Sequence, residues 1–366
     1  MVTNQIYSLV NSVSQQAFGS TALAVVDLQG LIALGNTVLS SSTNTEAFLN
    51  TLAQRIGKTI FRYRKYNNKL QDMILTDMEY GAILQKIYVA LPQAESDDQY
   101  SLVNGQSIDH YTVNKPGVAQ KLFVERNPYQ FHVTIQRKLL KEAFLSEAGI
   151  TSLVSMIFGQ MRNMIETTYE NLGRMNIAAG ISEATNRVQL LTEYNTAAGT
   201  SLTASSALLD SGFLRYAIRR IREVSDGMTD MSVNYNDGTL DTFTPYEDQK
   251  LRIWSPFERA CETVVEWAAF QEEYVRLMTY TKLNFWQAAD SPSNINVKKP
   301  SNGNAFTASN VIAVLHDREA LGIYQMEEDV LTTPVNAAGN YYNTYYHIRT
   351  ERLLDTTENF VYFDLT

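Results

Sequence analysis

Lys121-Leu-Phe-Val-Glu-Arg-Asn-Pro-Tyr-Gln-Phe-His-Val-Thr-Ile-Gln136 is dense in β-branched and aromatic residues and reads as extended chain. Glu147 then opens a second pattern. Ile150, Leu153, Val154, Ile157, Met161, Met164, Ile165, Thr168, Leu172 and Met175 recur at helical spacing as far as about Ala179. Such a helix would be roughly 50 Å long at 1.5 Å per residue, well beyond the three to four turns of an ordinary globular helix. A long strand feeding so long a rod suits a part that meets copies of itself better than the wall of a catalytic pocket.

The rest of the composition narrows the class. The chain has 366 residues, 45% of them hydrophobic and 19% charged, enough to bury a sizeable core in two ordinary domains or one with insertions. Its formal net charge of −9 argues against a general grip on nucleic-acid phosphates. A single cysteine, Cys261, rules out an intrachain disulfide and points to folding in a reducing compartment. Met1-Val-Thr-Asn-Gln-Ile-Tyr lacks the basic start and apolar run of a signal peptide, and the most apolar windows are too short to span a bilayer. No membrane is expected as a partner.

Working outward, residues 1–44 are rich in Ser, Thr, Asn and Gly without a steady period, and read as an arm that is ordered by leaning on something else. Thr45 is placed to cap a helix from Glu46, with Phe48, Leu49, Leu52, Ala53 and Ile56 on one face and Gly57 at its end. Thr59 to Tyr66 is strand-like. Ala82 to Leu91 is apolar and extended, and the polar stretch from Pro92 to Gly117 contains the turn pairs Asn104-Gly105 and Pro116-Gly117. With Lys121 to Gln136 as the return strand, this predicts a projecting two-stranded arm. A lone ribbon is unstable in water, so its apolar residues must lie on a neighbour or on the parent domain.

Beyond the rod, Arg187 to Tyr194 reads as a strand, and the small residues from Ala197 to Ser206 as a domain boundary. Leu208 to Val224 reads as a helix with a basic face, and Phe257 to Thr281 as largely helical. Val311 to Leu315 is a short buried strand, closed by a turn over Asp317 to Gly322. Tyr341 to Arg349 and Phe360 to Phe363 are final strands. The segregated mixture is α+β rather than a regular βαβ alternation. The run Tyr341-Tyr342-Asn-Thr-Tyr345-Tyr346 suits a pleated surface and also subunit contacts.

Chemistry is sparse. His110, His132, His316 and His347 are far apart and without metal-ligand spacing, and no second cysteine completes a zinc site. There is no P-loop, GxSxG elbow or GxGxxG. Asn234 to Gly238 fails the register of a calcium loop, because Val233 would be the first ligand. Glu262 and Glu266 share a helix face but lack the Glu-x-x-His companion of a carboxylate metal site. Cys261 has no histidine at hand in sequence to activate it. Arg215, Arg219, Arg220 and Arg222 form the dense basic cluster. They are either a helix face paired with Asp210 and Glu223, or a contact for acidic neighbours ahead of DNA. The residues therefore predict no enzyme, no catalytic, cofactor or metal site and no cofactor.

The order of parts resembles the HK97-like fold of tailed-phage major capsid proteins. Ala47-Phe-Leu-Asn-Thr-Leu-Ala-Gln-Arg-Ile-Gly57, Phe123-Val-Glu-Arg-Asn127, Phe131-His-Val-Thr-Ile-Gln136, Lys141-Glu-Ala-Phe144 and Asn340-Tyr-Tyr-Asn-Thr-Tyr-Tyr-His347 resemble the φ29-like small podovirus group in the same order. The resemblance implies an N-terminal arm over 1–44 and a lead-in to the peripheral (P) domain over 45–80. It implies an E-loop over 81–136, the P domain with its spine helix over 137–200, an axial (A) domain over 201–334, and return strands to the P domain over 335–366.

By the same resemblance the chain is a head protein that self-assembles, in hexamers and pentamers, into an icosahedral or prolate shell around packaged double-stranded DNA. A scaffolding protein and a portal would be partners in assembly. The location would be the virion capsid, reached through the host cytoplasm. No immunoglobulin-like module is expected after the last strands, and the Lys, Asn and Glu of an autocatalytic crosslink are not matched. Two alternatives are an encapsulin-type compartment subunit of the same fold and, more remotely, a soluble metal-dependent hydrolase using Glu262 and Glu266.

Overall fold

The computed structural model describes residues 3–19, 24–56, 66–75, 84–89, 100, 102–107, 111, 113, 115, 117–123, 126–145, 149, 153, 159–265 and 279–366. Its helices are α1 (Thr3–Phe18), α2 (Leu28–Leu39), α3 (Ser42–Ile56), α4 (Arg137–Ala143), α5 (Gln160–Glu183), α6 (Leu190–Ala198), α7 (Ala204–Ala207), α8 (Ser211–Gly227) and α9 (Ser255–Ala260). In the first half its strands are β1 (Ile74–Leu75), β2 (Leu84–Val89), β3 (Val118–Phe123), β4 (Arg126–Gln136) and β5 (Asn186–Gln189). The second half adds β6 (Gln249–Trp254), β7 (Tyr280–Leu283), β8 (Ile295–Lys298), β9 (Ala305–Ala308) and β10 (Val311–Asp317). It closes with β11 (Leu321–Thr332), β12 (Tyr341–Leu354) and β13 (Phe360–Asp364). The chain divides into two compact units, residues 1–80, 126–173 and 323–351 in the first and 81–125, 174–322 and 352–366 in the second.

The first unit holds a four-stranded sheet in the order β1-β11-β12-β4. β4 and β12 run antiparallel from Tyr341↔Gln136 to Glu351↔Arg126. Period-two alternation turns Phe131, Val133 and Ile135 inward with Tyr342, Tyr346 and Ile348. The same alternation sends His132, Tyr345 and His347 outward, where their rings pack at 6.1 and 6.3 Å between centroids. The tyrosine run thus serves a sheet on both of its faces.

Within residues 1–44, where no steady period was expected, the described residues form the helices α1 and α2. α1 and α2 contribute Val10, Val13, Leu31, Leu34 and Val38 to the same core as Phe48, Leu49 and Phe144. Asp27 caps α2 by accepting from the Gly30 N–H at 2.7 Å. Polar residues between the apolar ones in α1, and Gly30 and Gly35 in α2, hid the helical period. Thr45 lies within α3 rather than at its cap, and its hydroxyl donates to the Val38 carbonyl at 2.8 Å. Gly57 and the strand expected from Thr59 lie outside the described residues, apart from Tyr66.

The second unit is built on a five-stranded sheet in the order β5-β13-β10-β6-β7. β10 is buried along its whole length. α8 lays Phe213, Leu214, Ala217, Ile221 and Val224 into the core that this sheet shares. Asp210 caps α8, accepting from the Phe213 N–H at 2.6 Å, instead of pairing with an arginine. Other expectations change here. Arg187 to Tyr194 is only half strand, because Leu190 opens α6. The region after Pro256 is helical to Val265, lies outside the described residues over 266–278, and then forms β7. β13 pairs with β10 and β5 within this sheet. Ala197 to Ser206 lies within one unit, and the division falls at Gly173/Arg174 instead.

The long helix is present as α5, 24 residues and about 36 Å long at 1.5 Å per residue. The expected start near Glu147 falls largely outside the described residues, and the helix runs to Glu183 rather than Ala179. Met161, Ile165 and Tyr169 bury one stripe against Ile348, whereas Met164 and Met175, counted in the expected stripe, are exposed. From Asn176 to Ser182 every position is buried. The Asn176 amide donates to the carbonyls of Gly322 at 3.1 Å and Leu353 at 3.0 Å. A stripe read at one period could not show that this end is enclosed on all sides.

Candidate functional site

Lys121 to Gln136 is not one strand but two. β3 pairs with β2, from Leu84↔Phe123 to Val89↔Val118, and β4 joins the first unit's sheet. The strands expected to form the arm are therefore β2 and β3, paired as an antiparallel hairpin. Much of the stretch between its strands lies outside the described residues.

Alternation along the hairpin separates two faces. On one, Ile87, Val89, Val118 and Leu122 are between 54% and 63% exposed. The other carries Lys86, Tyr88 and Lys121 and meets the turn between β12 and β13. The Asp355 side chain in that turn is fully buried. It receives Lys86 Nζ at 3.1 Å and Lys121 Nζ at 3.1 Å, and the Tyr88 hydroxyl donates to it. Lys86 also pairs with Glu319 at 3.2 Å and with Glu358, and Lys121 donates to the Thr356 hydroxyl at 3.3 Å. The turn supports its own acid: the Thr357 N–H and hydroxyl donate to Asp355 Oδ1 at 3.1 and 2.8 Å.

Burial by itself raises the Asp355 pKa. The Tyr88 hydrogen bond, the Lys86 charge, Thr357 and Lys121 outweigh it and hold the carboxyl below its ordinary value. For Glu358 burial prevails over the Lys86 hydrogen bond and charge, and its pKa is raised. Burial lowers the Lys86 pKa, but Glu358 and Asp355 more than compensate and raise it, so its ammonium stays charged.

The residues weighed for chemistry are placed elsewhere. Glu262 is exposed on the turn after α9, and Glu266 lies outside the described residues. The buried carboxylate of that region is Glu258, which holds Lys282 at 2.6 Å and accepts from the Tyr280 hydroxyl at 2.8 Å. Burial, with the charges of Glu258 and Glu262, pushes the Cys261 thiol up to about 12, which keeps it protonated and unreactive. His316 is buried against Phe360 with Nδ1 2.7 Å from the Asp317 carbonyl. His110 lies outside the described residues. Arg219 pairs with Glu223 at 3.2 Å, and Arg220 with Glu193 of α6 at 3.0 Å. Among the described residues no group of three His, Cys, Asp or Glu is placed to hold a metal, and no helix is long and apolar enough to cross a membrane. Sequence reasoning missed Asp355, Glu358 and their lysines. The one signal was Asp355-Thr-Thr-Glu358, a turn-forming stretch between two strands.

A five-stranded sheet with packed helices, a long helix and an extended hairpin define a class, that of HK97-like phage capsid folds. The chain superposes on a chain from native bacteriophage P68, in a structure of its head fiber and inner core protein gp22, with a TM-score of 0.57 at 10% identity, covering 84% of this chain and 87% of that one. For the capsid of Staphylococcus phage Andhra the values are 0.53, 11%, 84% and 87%, and for that of Cyanophage P-SCSP1u 0.51, 13%, 84% and 90%. These likenesses establish the fold. In sequence, 165 residues are 27% identical to the major capsid protein of Bacillus phage PZA, covering 44% of this chain and 35% of that relative's length. The profile of the Phi29-like phage major capsid protein family matches residues 7–364, and the chain belongs to that family.

Proposed function

We propose that this chain is the shell-forming subunit of a tailed phage, a structural protein and not an enzyme, residing in the virion capsid. The observation that carries this reading is the outward face of the hairpin. Ile87, Val89, Val118 and Leu122 make an apolar ribbon surface that the subunit's own fold leaves in water, and a ribbon of that kind needs a partner. Family membership supports a second copy as that partner, and on this reading the hairpin is the E-loop, lying across its neighbour in hexamers and pentamers. The first compact unit then corresponds to the peripheral domain, with α1 and α2 inside it. The second corresponds to the axial domain around the five- and six-fold axes, with the hairpin at its margin.

Assembly in the host cytoplasm with a scaffolding protein and portal, and non-specific enclosure of double-stranded DNA, follow from the same reading. The acidic balance serves that task, since a basic lining would grip phosphates and resist dense packing. Electron microscopy of the purified protein tests the class. Closed shells are expected, and a monodisperse monomer at every concentration overturns it. Deleting Glu95 to Asn114 tests the arm, and particles of unchanged yield and heat stability would remove its assigned role.

A further inference from the structure

The β2–β3 hairpin buries Phe123 but turns four large apolar residues away from its own body. Burial of apolar surface is worth about 25 cal/mol per Å², so a ribbon made only to rest on its own body would turn Ile87, Val89, Val118 and Leu122 inward. Here they face water beside Gln85 and Gln120, and the side turned to the body carries the charged and hydroxyl groups of Lys86, Tyr88 and Lys121 next to the buried Phe123. Lys86 and Lys121 are directly opposed across the ribbon and converge on the same buried carboxylate. The receiving half of this contact stands without the hairpin. Asp355 keeps the two bonds from Thr357, and its own N–H donates to the Ala320 carbonyl at 2.9 Å. The charged groups facing the contact are Glu319 and Glu358, both on Lys86, and Asp317 beside Glu358.

We propose that Lys86, Asp355 and Lys121 form a releasable ionic clasp, which sets the direction in which the hairpin offers its apolar face and can open without disturbing the five-stranded sheet. Salt reaches the partly exposed lysines though not the buried Asp355, so concentrated salt weakens these ionic contacts, less than it would an exposed pair, and leaves apolar contacts unweakened. The clasp therefore yields under conditions that leave the core intact. That the offered face meets a second copy rests on the shell reading above. The clasp itself does not.

Hydrogen exchange by mass spectrometry on the unassembled full-length subunit decides it, comparing the wild type with Lys86→Met/Lys121→Met. Both lysines are partly exposed, and the Asp355 carboxylate left without its counter-charges retains the hydrogen bonds from Thr357 within the turn. Exchange over residues 84–89 and 118–123 should rise about fivefold or more, because an unclasped two-stranded ribbon frays. Exchange over residues 311–317 should not change. Salt at about 1 M should move the wild-type hairpin toward the variant and leave the variant where it is. Asp355→Asn, which keeps an acceptor for Thr357, should give the same hairpin exchange as the double lysine variant. Unchanged hairpin exchange in the lysine variant, or a wild-type hairpin indifferent to salt, overturns the clasp. So does loss of protection at 311–317, which would make the contact part of the core. Subunits that never form shells but show the expected exchange would sink the shell reading and leave the clasp standing.

Discussion

Asp355 shows how one carboxylate can serve two masters: the turn that carries it and the hairpin that reaches it. Asp355→Asn leaves the half-buried Lys86 and Lys121 without their shared carboxylate, and should lower unfolding stability by about 2 kcal/mol in chemical denaturation. The pH response has a defined sign. Because the folded-state pKa of Asp355 is depressed, its contribution is complete above the ordinary carboxylate range and is lost as pH falls through the lower folded value. Glu358 acts oppositely. Its folded pKa is raised, so its contribution is present at low pH and is lost as pH rises through that value. A carboxyl carbon-13 titration should place the Glu358 midpoint above 4.5 and that of Asp355 below 3.8. Cys261 gives a separate check at this scale. With its thiol pushed up to about 12 it should resist a thiol reagent at neutral pH until the protein unfolds.

At the scale of elements, the N-terminal helices carry the main revision. Gly35 on α2 lies so close to Phe144 that an added Cβ would sit 2.6 Å from the Phe144 Cβ, an atom that no rotamer change can move aside. Gly35→Ala should therefore destabilise by about 2 kcal/mol through overpacking, despite a helix-propensity gain of up to about 1 kcal/mol. Thermal melts check the sign. If residues 1–44 were a detached arm, the substitution would be neutral or stabilising. Strands were legible where apolar and polar residues alternate, as in β4 and the start of β12, or where an apolar run is unbroken and short, as in β10 and β13. α1 was not, because polar residues separate its few large apolar ones, and α2 was not, because Gly30 and Gly35 interrupt an otherwise apolar stretch; the packing that selects both helices comes from α3 and Phe144. The division of Lys121 to Gln136 into β3 and β4 was likewise invisible, since both halves have strand composition.

For the whole molecule, the apolar face of the hairpin separates folding from assembly. Ile87→Asp with Leu122→Asp should leave the melting temperature of the unassembled subunit within a few degrees, because both side chains are already in water. It should abolish or sharply reduce shells seen by electron microscopy, since a charge in a buried contact is costly. Shells formed at normal yield would mean that this face is not the contact. The outward ladder of His132, Tyr345 and His347 lies on the sheet of the other unit and is untouched by these substitutions.

The amino-acid order by itself carried the resemblance that pointed to the class of this protein, in the patches from Ala47 to His347. Its long helical stripe and its late aromatic strands are local properties that periodicity expresses directly. The tertiary structure alone decided which face of the hairpin looks outward and what holds the other. Lys86, Lys121 and Asp355 are separated by more than two hundred residues of chain at their widest. No periodic signal records such a convergence, because an ion pair depends on distance in space and on a burial that only the folded turn after β12 provides.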